Sequence, residues 1–201
     1  MKRKLGVFVL GLFTAAAVFA GEPKVQSGTY EELLLGVSAD GVKVTGYYMN
    51  ATGYDAATDS PQFVCRFYFS GKKNGAKYDI QVYDTDGDAV TKGVLTPLEK
   101  AVKLKLNDDP GACWNVIGGL TDSGVEFSPF TAGKWIEIGM AKAQKAFFYS
   151  DPAEDKKLKS YVIKGDVLRV FEKKSGWVLA EFHGAKVTKG WVKESDLIVI
   201  P

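Results

Sequence analysis

The sequence predicts an all-β fold made of two β domains, and three observations support this prediction. Apolar and polar residues alternate with a period of two along most of the chain after Gly28. Glycine, asparagine, aspartate and proline separate these segments at short intervals, and no long amphipathic helix interrupts them. The 201 residues are 46% hydrophobic, which is enough to form a core.

The first 20 residues have the pattern of a secretory signal peptide. Lys2, Arg3 and Lys4 precede an uncharged apolar run over residues 5–13, and small residues follow as far as Ala20. We expect cleavage after Ala20 and a periplasmic or secreted protein. No second apolar segment of spanning length follows in the sequence, so stable membrane insertion is not expected.

The net charge argues against nucleic acid as a partner. The chain contains 26 Lys and Arg residues and 24 Asp and Glu residues. Removal of the three basic residues of the signal peptide leaves 23 minus 24, a net charge of about −1. A near-neutral protein lacks the positive field on which binding to nucleic acid or anionic lipid depends.

The first predicted domain covers residues 21–141, and its alternation is typical of an antiparallel barrel or sandwich, of which we favour the barrel. The clearest strand is 101–107, where Val, Leu and Leu alternate with Lys, Lys and Asn. The Asn-Gly pair at 74–75 predicts a hairpin between strands 63–69 and 78–82. Further strands are predicted at 30–37, 42–48, 93–95, 113–117, 125–127 and 134–140.

Cys65 and Cys113 are the two cysteines of the chain, and export would allow them to form a disulfide. Cys65 lies on the apolar face of a predicted strand, and Cys113 follows the turn residues 108–111. Closure of this loop should stabilise the fold by roughly 3–4 kcal/mol in the chain-entropy model. The alternative is a pair of free or redox-active thiols.

The second predicted domain covers residues 142–201, with strands at 145–149, 167–172, 177–182 and 187–193. The turn Lys164-Gly165-Asp166 and the Gly-Trp-Val triplets at 176–178 and 190–192 follow one another in the order and spacing of a bacterial SH3-like domain. Residues 143–199 therefore resemble this family. The resemblance implies a small, non-catalytic β barrel that binds peptidoglycan peptides or proteins, or packs as an accessory domain.

The SH3-like resemblance also implies a binding groove between the long first loop and the turn before Trp177. Its candidate aromatic residues are Tyr149, Tyr161 and Trp177, which would supply apolar contact. Its candidate rim residues are Asp151, Glu154 and Asp155. The alternatives are core packing for the aromatic residues and a solvated loop for the acidic ones.

The sequence has no pattern typical of an enzyme, a metal site or a cofactor site. His183 is the single histidine and lies in a predicted hairpin turn, which is a poor position for a general base. Asp84, Asp86 and Asp88 offer the oxygen ligands that calcium prefers, but the later glutamate of an EF-hand loop is missing, so a turn is favoured. Two cysteines and one histidine do not make a four-ligand zinc site.

We therefore expect a non-enzymatic, exported binding protein of the bacterial envelope that recognises a peptidoglycan fragment or an envelope protein through its SH3-like domain. Two alternatives stay open. The first domain could be a calycin-like barrel that carries a small ligand, although the Gly-x-Trp signature is absent near Gly28. The protein could also inhibit an envelope hydrolase, or act as an immunity protein against one, by inserting a loop.

Overall fold

The computed structural model describes residues 23–111, 113–128 and 131–198. Over these residues the protein is all-β, as predicted, and contains two antiparallel sheets. The signal peptide predicted for residues 1–20 lies outside the described residues. Within the described part of the chain, no helix has the length and apolar character needed to cross a membrane.

The first sheet has nine strands and is curled into a half-barrel. In chain order they are β1 (Gly28–Tyr30), β2 (Leu33–Val37), β3 (Lys43–Asp55), β4 (Ser60–Asn74), β5 (Lys77–Tyr83), β6 (Ala89–Pro97), β7 (Val102–Leu106), β8 (Val125–Phe127) and β9 (Thr131–Ala132). Strands β1 to β8 pair in sequence order, and β9 returns to pair with β1. The edge strands β8 and β9 are separated by three residues, so the two edges of the sheet lie within about 14 Å of each other.

Aromatic and aliphatic side chains fill the hollow of the first sheet. The rings of Tyr48 and Phe67 stack with their centroids 5.3 Å apart, and Phe127 meets Tyr48 edge-on at 5.8 Å. Gly46 makes room for this packing, because a Cβ atom there would lie 2.2 Å from the ring of Phe69. The alternation of apolar residues thus places a cluster of buried aromatic and aliphatic side chains inside the sheet.

Cys65 and Cys113 form the predicted disulfide, with their Cα atoms 4.6 Å apart. The strand predicted at 113–117 is wrong, because Cys113–Asn115 is a single 3-10 turn. The reason is Asp109, whose carboxylate accepts hydrogen bonds from the backbone N–H groups of Gly111, Cys113 and Trp114. These bonds satisfy the donors at the start of the turn and favour it over an extended strand.

The strand predicted at 30–37 is two strands, because Glu31 adopts a φ of 53° and reverses the chain. Such a φ is uncommon for a residue other than glycine. Strands β1 and β2 pair as a tight hairpin around this turn. Of the other predicted strands of the first domain, 125–127 has the predicted ends and the rest have shifted ends. The strand predicted at 134–140 is Glu137–Met140 and belongs to the second sheet.

The second sheet has six strands in the order β10-β13-β14-β15-β11-β12. They are β10 (Glu137–Met140), β11 (Ala146–Tyr149), β12 (Lys157–Val162), β13 (Val167–Lys174), β14 (Trp177–His183) and β15 (Val187–Lys193). Their inward side chains form a second core, which contains Phe148, Val162, Leu168, Val170, Val178 and Val192. β10 precedes the predicted domain boundary yet pairs with β13, and the division into domains at residue 141 stays a prediction.

The two sheets are joined by hydrogen bonds around β10. The backbone N–H of Ile138 donates to Oγ1 of Thr45 at 2.7 Å, and the hydroxyl of Tyr68 donates to the carbonyl of Ile138. The indole Nε1 of Trp135 donates to the carbonyl of Leu35 at 2.6 Å. These bonds satisfy polar groups that the contact between the sheets removes from water.

Two further contacts support this junction. A Cβ atom at Gly36 would lie 2.6 Å from the Cα atom of Glu137, so the close approach of β2 to β10 requires glycine. At the surface, Nζ of Lys164 lies 2.6 Å from Oδ1 of Asp86 and links the turn before β13 to the turn after β5. The two sheets therefore pack against each other through both backbone and side-chain contacts.

Candidate functional site

Tyr149 and Trp177, two of the predicted groove residues, form one aromatic pair on the second sheet. Tyr149 ends β11 and pairs in register with Trp191 of β15, while Trp177 begins β14 and pairs with Lys193 of β15. The rings of Tyr149 and Trp177 meet edge-on, with centroids 4.7 Å apart. Tyr149 is buried and Trp177 is partly exposed, so Tyr149 forms the base of the pair and Trp177 its accessible side.

A lysine lies over these two rings and forms an ion pair with a rim acid. Nζ of Lys193 is 5.9 Å from the centroid of Tyr149 and 5.9 Å from that of Trp177, which is a distance typical of cation–π contact. The same Nζ atom lies 2.5 Å from Oε1 of Glu154. The hydrogen bond to Glu154 raises the pKa of Lys193. We call Tyr149, Trp177, Lys193 and Glu154 the Tyr149 site.

The three predicted rim acids do not all join this site. Glu154 reaches it through Lys193 and is well exposed. Asp155 forms an ion pair with Lys156, the next residue, at 2.9 Å. Asp151 lies at the start of the same loop, where its backbone carbonyl accepts the N–H of Ala153 at 2.8 Å. Glu154 is therefore the rim acid that the structure brings to the aromatic pair.

Tyr161, the third predicted aromatic residue, belongs to a separate cluster. Its ring packs against Phe147, with centroids 5.6 Å apart, because the two residues pair in register across β11 and β12. Nζ of Lys145 lies 4.6 Å from the ring of Tyr161, and Nζ of Lys157 lies 3.4 Å from the ring of Phe147. Tyr161 is exposed. We call these four residues the Tyr161 site.

An open cleft of about 640 Å³ lies beside the Tyr161 site. It separates β12 from the turn between β14 and β15, and Leu158, Ser160, Phe182 and Thr188 line it. Lys159 and Lys186 stand at its borders. The predicted single groove is thus two surfaces, one with a paired lysine and glutamate and one with several lysines.

Four site residues were missed by sequence reasoning: Lys193, Phe147, Lys145 and Lys157. A signal for Phe147 was present, since Ala146 and Phe148 face the core and place Phe147 and Tyr149 on the opposite face of the strand. The register between β14 and β15 that places Lys193 beside Trp177 has no counterpart in the sequence alone.

A smaller cavity, of about 280 Å³, lies at one end of the first sheet. Tyr78, Asp40 and Lys73 are among its lining residues, and the segment that contains Lys24 and Val25 covers it. The hydroxyl of Tyr78 donates to the carbonyl of Gly41 at 2.7 Å and fixes the adjacent turn. Val25 and Tyr78 line this cavity and also belong to the core of the first sheet.

The remaining candidates from the sequence take part in local contacts. Nε2 of His183 lies 3.2 Å from Oε2 of Glu181, beside the exposed end of β14. Oδ1 of Asp84 accepts the backbone N–H groups of Asp86 and Asp88, as in a turn rich in aspartate. Over the described ranges, no cluster of three His, Cys, Asp or Glu side chains has the arrangement of a metal site.

Comparison of the chain with known protein families, with curated proteins and with solved structures found no match. The SH3-like resemblance of residues 143–199 stays a prediction.

Proposed function

We propose that this chain is an exported, non-enzymatic binding protein of the bacterial envelope that recognises a peptide at the Tyr149 site. The observation that carries the proposal is the position of Lys193 over the ring pair of Tyr149 and Trp177, together with its ion pair with Glu154. Aromatic rings offer a large apolar contact, and the two opposite charges give a bound chain its orientation. The disulfide supports export, since such bonds persist in oxidising compartments.

The charges at this site indicate what kind of peptide it would bind. A peptide carboxylate can replace Glu154 as the partner of Lys193, and an amine can then pair with Glu154. A peptidoglycan stem peptide offers both groups as well as small apolar side chains. It therefore fits the Tyr149 site better than a purely apolar ligand, and a protein segment with the same groups is the competing partner.

The test is sedimentation of the protein, residues 21–201, with purified peptidoglycan sacculi at low and moderate salt. We expect a bound fraction that survives moderate salt and falls about tenfold or more in Trp177→Ala and Lys193→Gln, because each removes a central contact. Trp177→Phe keeps an aromatic ring and should retain most of the binding. Val90→Ser alters an exposed apolar residue of the first sheet and serves as the matched control.

Two results would contradict the proposal. One is the absence of binding to sacculi by a protein that is folded according to its near-ultraviolet circular dichroism. The other is binding that Trp177→Ala and Lys193→Gln leave unchanged while both variants unfold at the wild-type temperature. If Trp177→Ala unfolds, the two other variants provide the test. Lys193→Gln should then lose binding to sacculi, and Trp177→Phe should keep most of it.

A further inference from the structure

Strands β3 and β4 extend beyond the strands on either side and form a two-stranded ribbon. β2 pairs with β3 only as far as Tyr48, and β5 pairs with β4 only from Tyr68 onward. β3 and β4 remain paired from Met49 and Arg66 to Asp55 and Ser60. Within the described residues, no further strand pairs with either edge of this ribbon (residues 49–55 and 60–66).

Large apolar side chains are exposed on both faces of the ribbon. Tyr54 and Phe63 lie on the face that continues the inner side of the sheet, and Met49 and Val64 lie on the opposite face. Tyr54 is 67% exposed, and Trp114 in the nearby disulfide loop is 72% exposed. Five of the eleven exposed large hydrophobic residues of the described chain are therefore concentrated here, as is typical of an interaction surface.

The base of the ribbon is held in place. The disulfide ties Cys65 of β4 to Cys113, and Oγ1 of Thr52 donates to the carbonyl of Asn115 at 3.2 Å. A two-stranded ribbon alone is only marginally stable in water. These links hold Trp114 beside the ribbon. The ribbon therefore loses less conformational entropy when a partner binds.

The end of the first sheet from which the ribbon projects is acidic. Because consecutive antiparallel strands alternate in direction, the connections after β1, β3, β5 and β7 lie at the same end. These connections, residues 31–32, 56–59, 84–88 and 107–124, contain no Lys, Arg or His. Their nine carboxylates are Glu31, Glu32, Asp59, Asp84, Asp86, Asp88, Asp108, Asp109 and Asp122, of which Asp86 is paired with Lys164 of the second sheet's turn.

We propose that the ribbon is a docking arm that enters the cleft of a basic glycan hydrolase and blocks it. Apolar side chains on both faces require a partner that encloses the ribbon from two sides, which a cleft does and a flat surface does not. The six residues of β3 beyond Met49 span about 20 Å, a length that suits a cleft built to hold an extended polysaccharide. The acidic end then faces the basic rim of the enzyme.

This surface belongs to the first sheet, whereas the Tyr149 site belongs to the second, so the two proposals stand independently. A second copy of the chain is a poor occupant, because the like charges of two acidic ends would repel each other. The enzyme that serves as the probe is lysozyme, which is basic and has an open cleft.

The test is inhibition of lysozyme on bacterial cell walls by the protein, residues 21–201, with the dissociation constant measured by titration calorimetry. We expect a one-to-one complex and inhibition that weakens as salt is raised. Tyr54→Ser and Trp114→Ser should each weaken binding about tenfold or more, because both remove exposed apolar contacts from the docking arm. Val42→Ser alters an exposed apolar residue at the opposite end of the sheet and should change nothing.

The proposal is overturned if lysozyme neither binds nor is inhibited at about 100 μM protein, a concentration that would reveal even weak association. It is also overturned if Tyr54→Ser and Trp114→Ser bind as the wild type does, since attraction would then depend on charge alone. Loss of lysozyme binding in Trp177→Ala, with the ribbon variants unaffected, would assign the partner to the Tyr149 site. Circular dichroism and titration of free thiols check that each ribbon variant is folded and disulfide-bonded.

Discussion

The hydroxyl of Tyr68 in the first sheet donates its hydrogen bond to the backbone carbonyl of Ile138 in the second. Both residues are buried at the junction of the two sheets, within an apolar cluster that also contains Met140. A polar group buried among apolar side chains has to find its partner inside the protein. This bond therefore couples the position of β10 to that of β4.

Tyr68→Phe tests the coupling, because it keeps the ring and removes the donor. The carbonyl of Ile138 would lose this buried partner, and we expect the free energy of unfolding to fall by about 1–3 kcal/mol. Urea denaturation measures the change. The matched control is Tyr54→Phe, whose hydroxyl is well exposed. A loss no larger than that of the control would show that the bond contributes nothing.

Alkaline pH should destabilise the protein through the same residue. Burial raises the pKa of Tyr68 well above its usual value of 10.0, so the unfolded chain ionises first. The contribution that neutral Tyr68 makes to the free energy of unfolding is complete below pH 10. It is lost as pH rises toward the pKa of Tyr68 in the folded protein. Unfolding measured between about pH 9 and pH 11 should show a shallower decline in Tyr68→Phe than in the wild type. Equal slopes would contradict the prediction.

The disulfide between Cys65 and Cys113 should contribute about 4 kcal/mol, because it closes a loop with a sequence separation of 48 residues. The double variant Cys65→Ala with Cys113→Ala should unfold at a clearly lower urea concentration than the oxidised protein. Reduction of the wild type should reproduce most of this loss. A double variant as stable as the oxidised protein would rule out a structural role.

Gly36→Ala should separate the two sheets locally. The new Cβ atom would lie 2.6 Å from the backbone of Glu137, and we expect a loss of about 1–3 kcal/mol as the backbone moves. Gly118→Ala is the matched control, since no atom lies within 4 Å of a Cβ atom at Gly118. Thermal unfolding of both variants decides the question, and equal melting temperatures would count against the close approach.

The ion pair between Asp86 and Lys164 should be visible in a carboxylate titration. The hydrogen bond from Lys164 and its charge lower the pKa of Asp86 below the usual 3.8. In Lys164→Gln this pKa should return toward 3.8, and high salt should have a similar, smaller effect on the wild type. Nuclear magnetic resonance of the Asp86 carboxyl carbon measures both. A pKa that Lys164→Gln leaves unchanged would show that the pair does not persist in solution.

The period-two alternation sufficed to predict the strands with one buried face, such as β7, where Val102, Leu104 and Leu106 point inward. It did not predict residues 49–55 of β3 or residues 60–62 of β4. There, Tyr54 is 67% exposed, so burial imposes no pattern on the sequence. The turn at Cys113 was missed for another reason, because three hydrogen bonds to Asp109 override the strand propensity of the residues that follow.

The candidate site was predicted in part. Aromatic residues at 149 and 177 do meet, and an acid from the long loop joins them. The contact of Trp135 with Leu35 spans 100 residues of sequence, and the approach of Lys193 depends on the register between two strands. Such relations follow from tertiary packing, which a single sequence does not display.

The first sheet has β8 at one edge and β9 at the other, although the two strands are close neighbours in the chain. In an open sheet each edge strand frays on its own. Here only three residues separate the two edge strands in the sequence, so detachment of one strand removes the support that this short connection gives the other. The chain connection thus links the two edge strands of the half-barrel. We expect β8 and β9 to open together, with similar rates of amide hydrogen exchange.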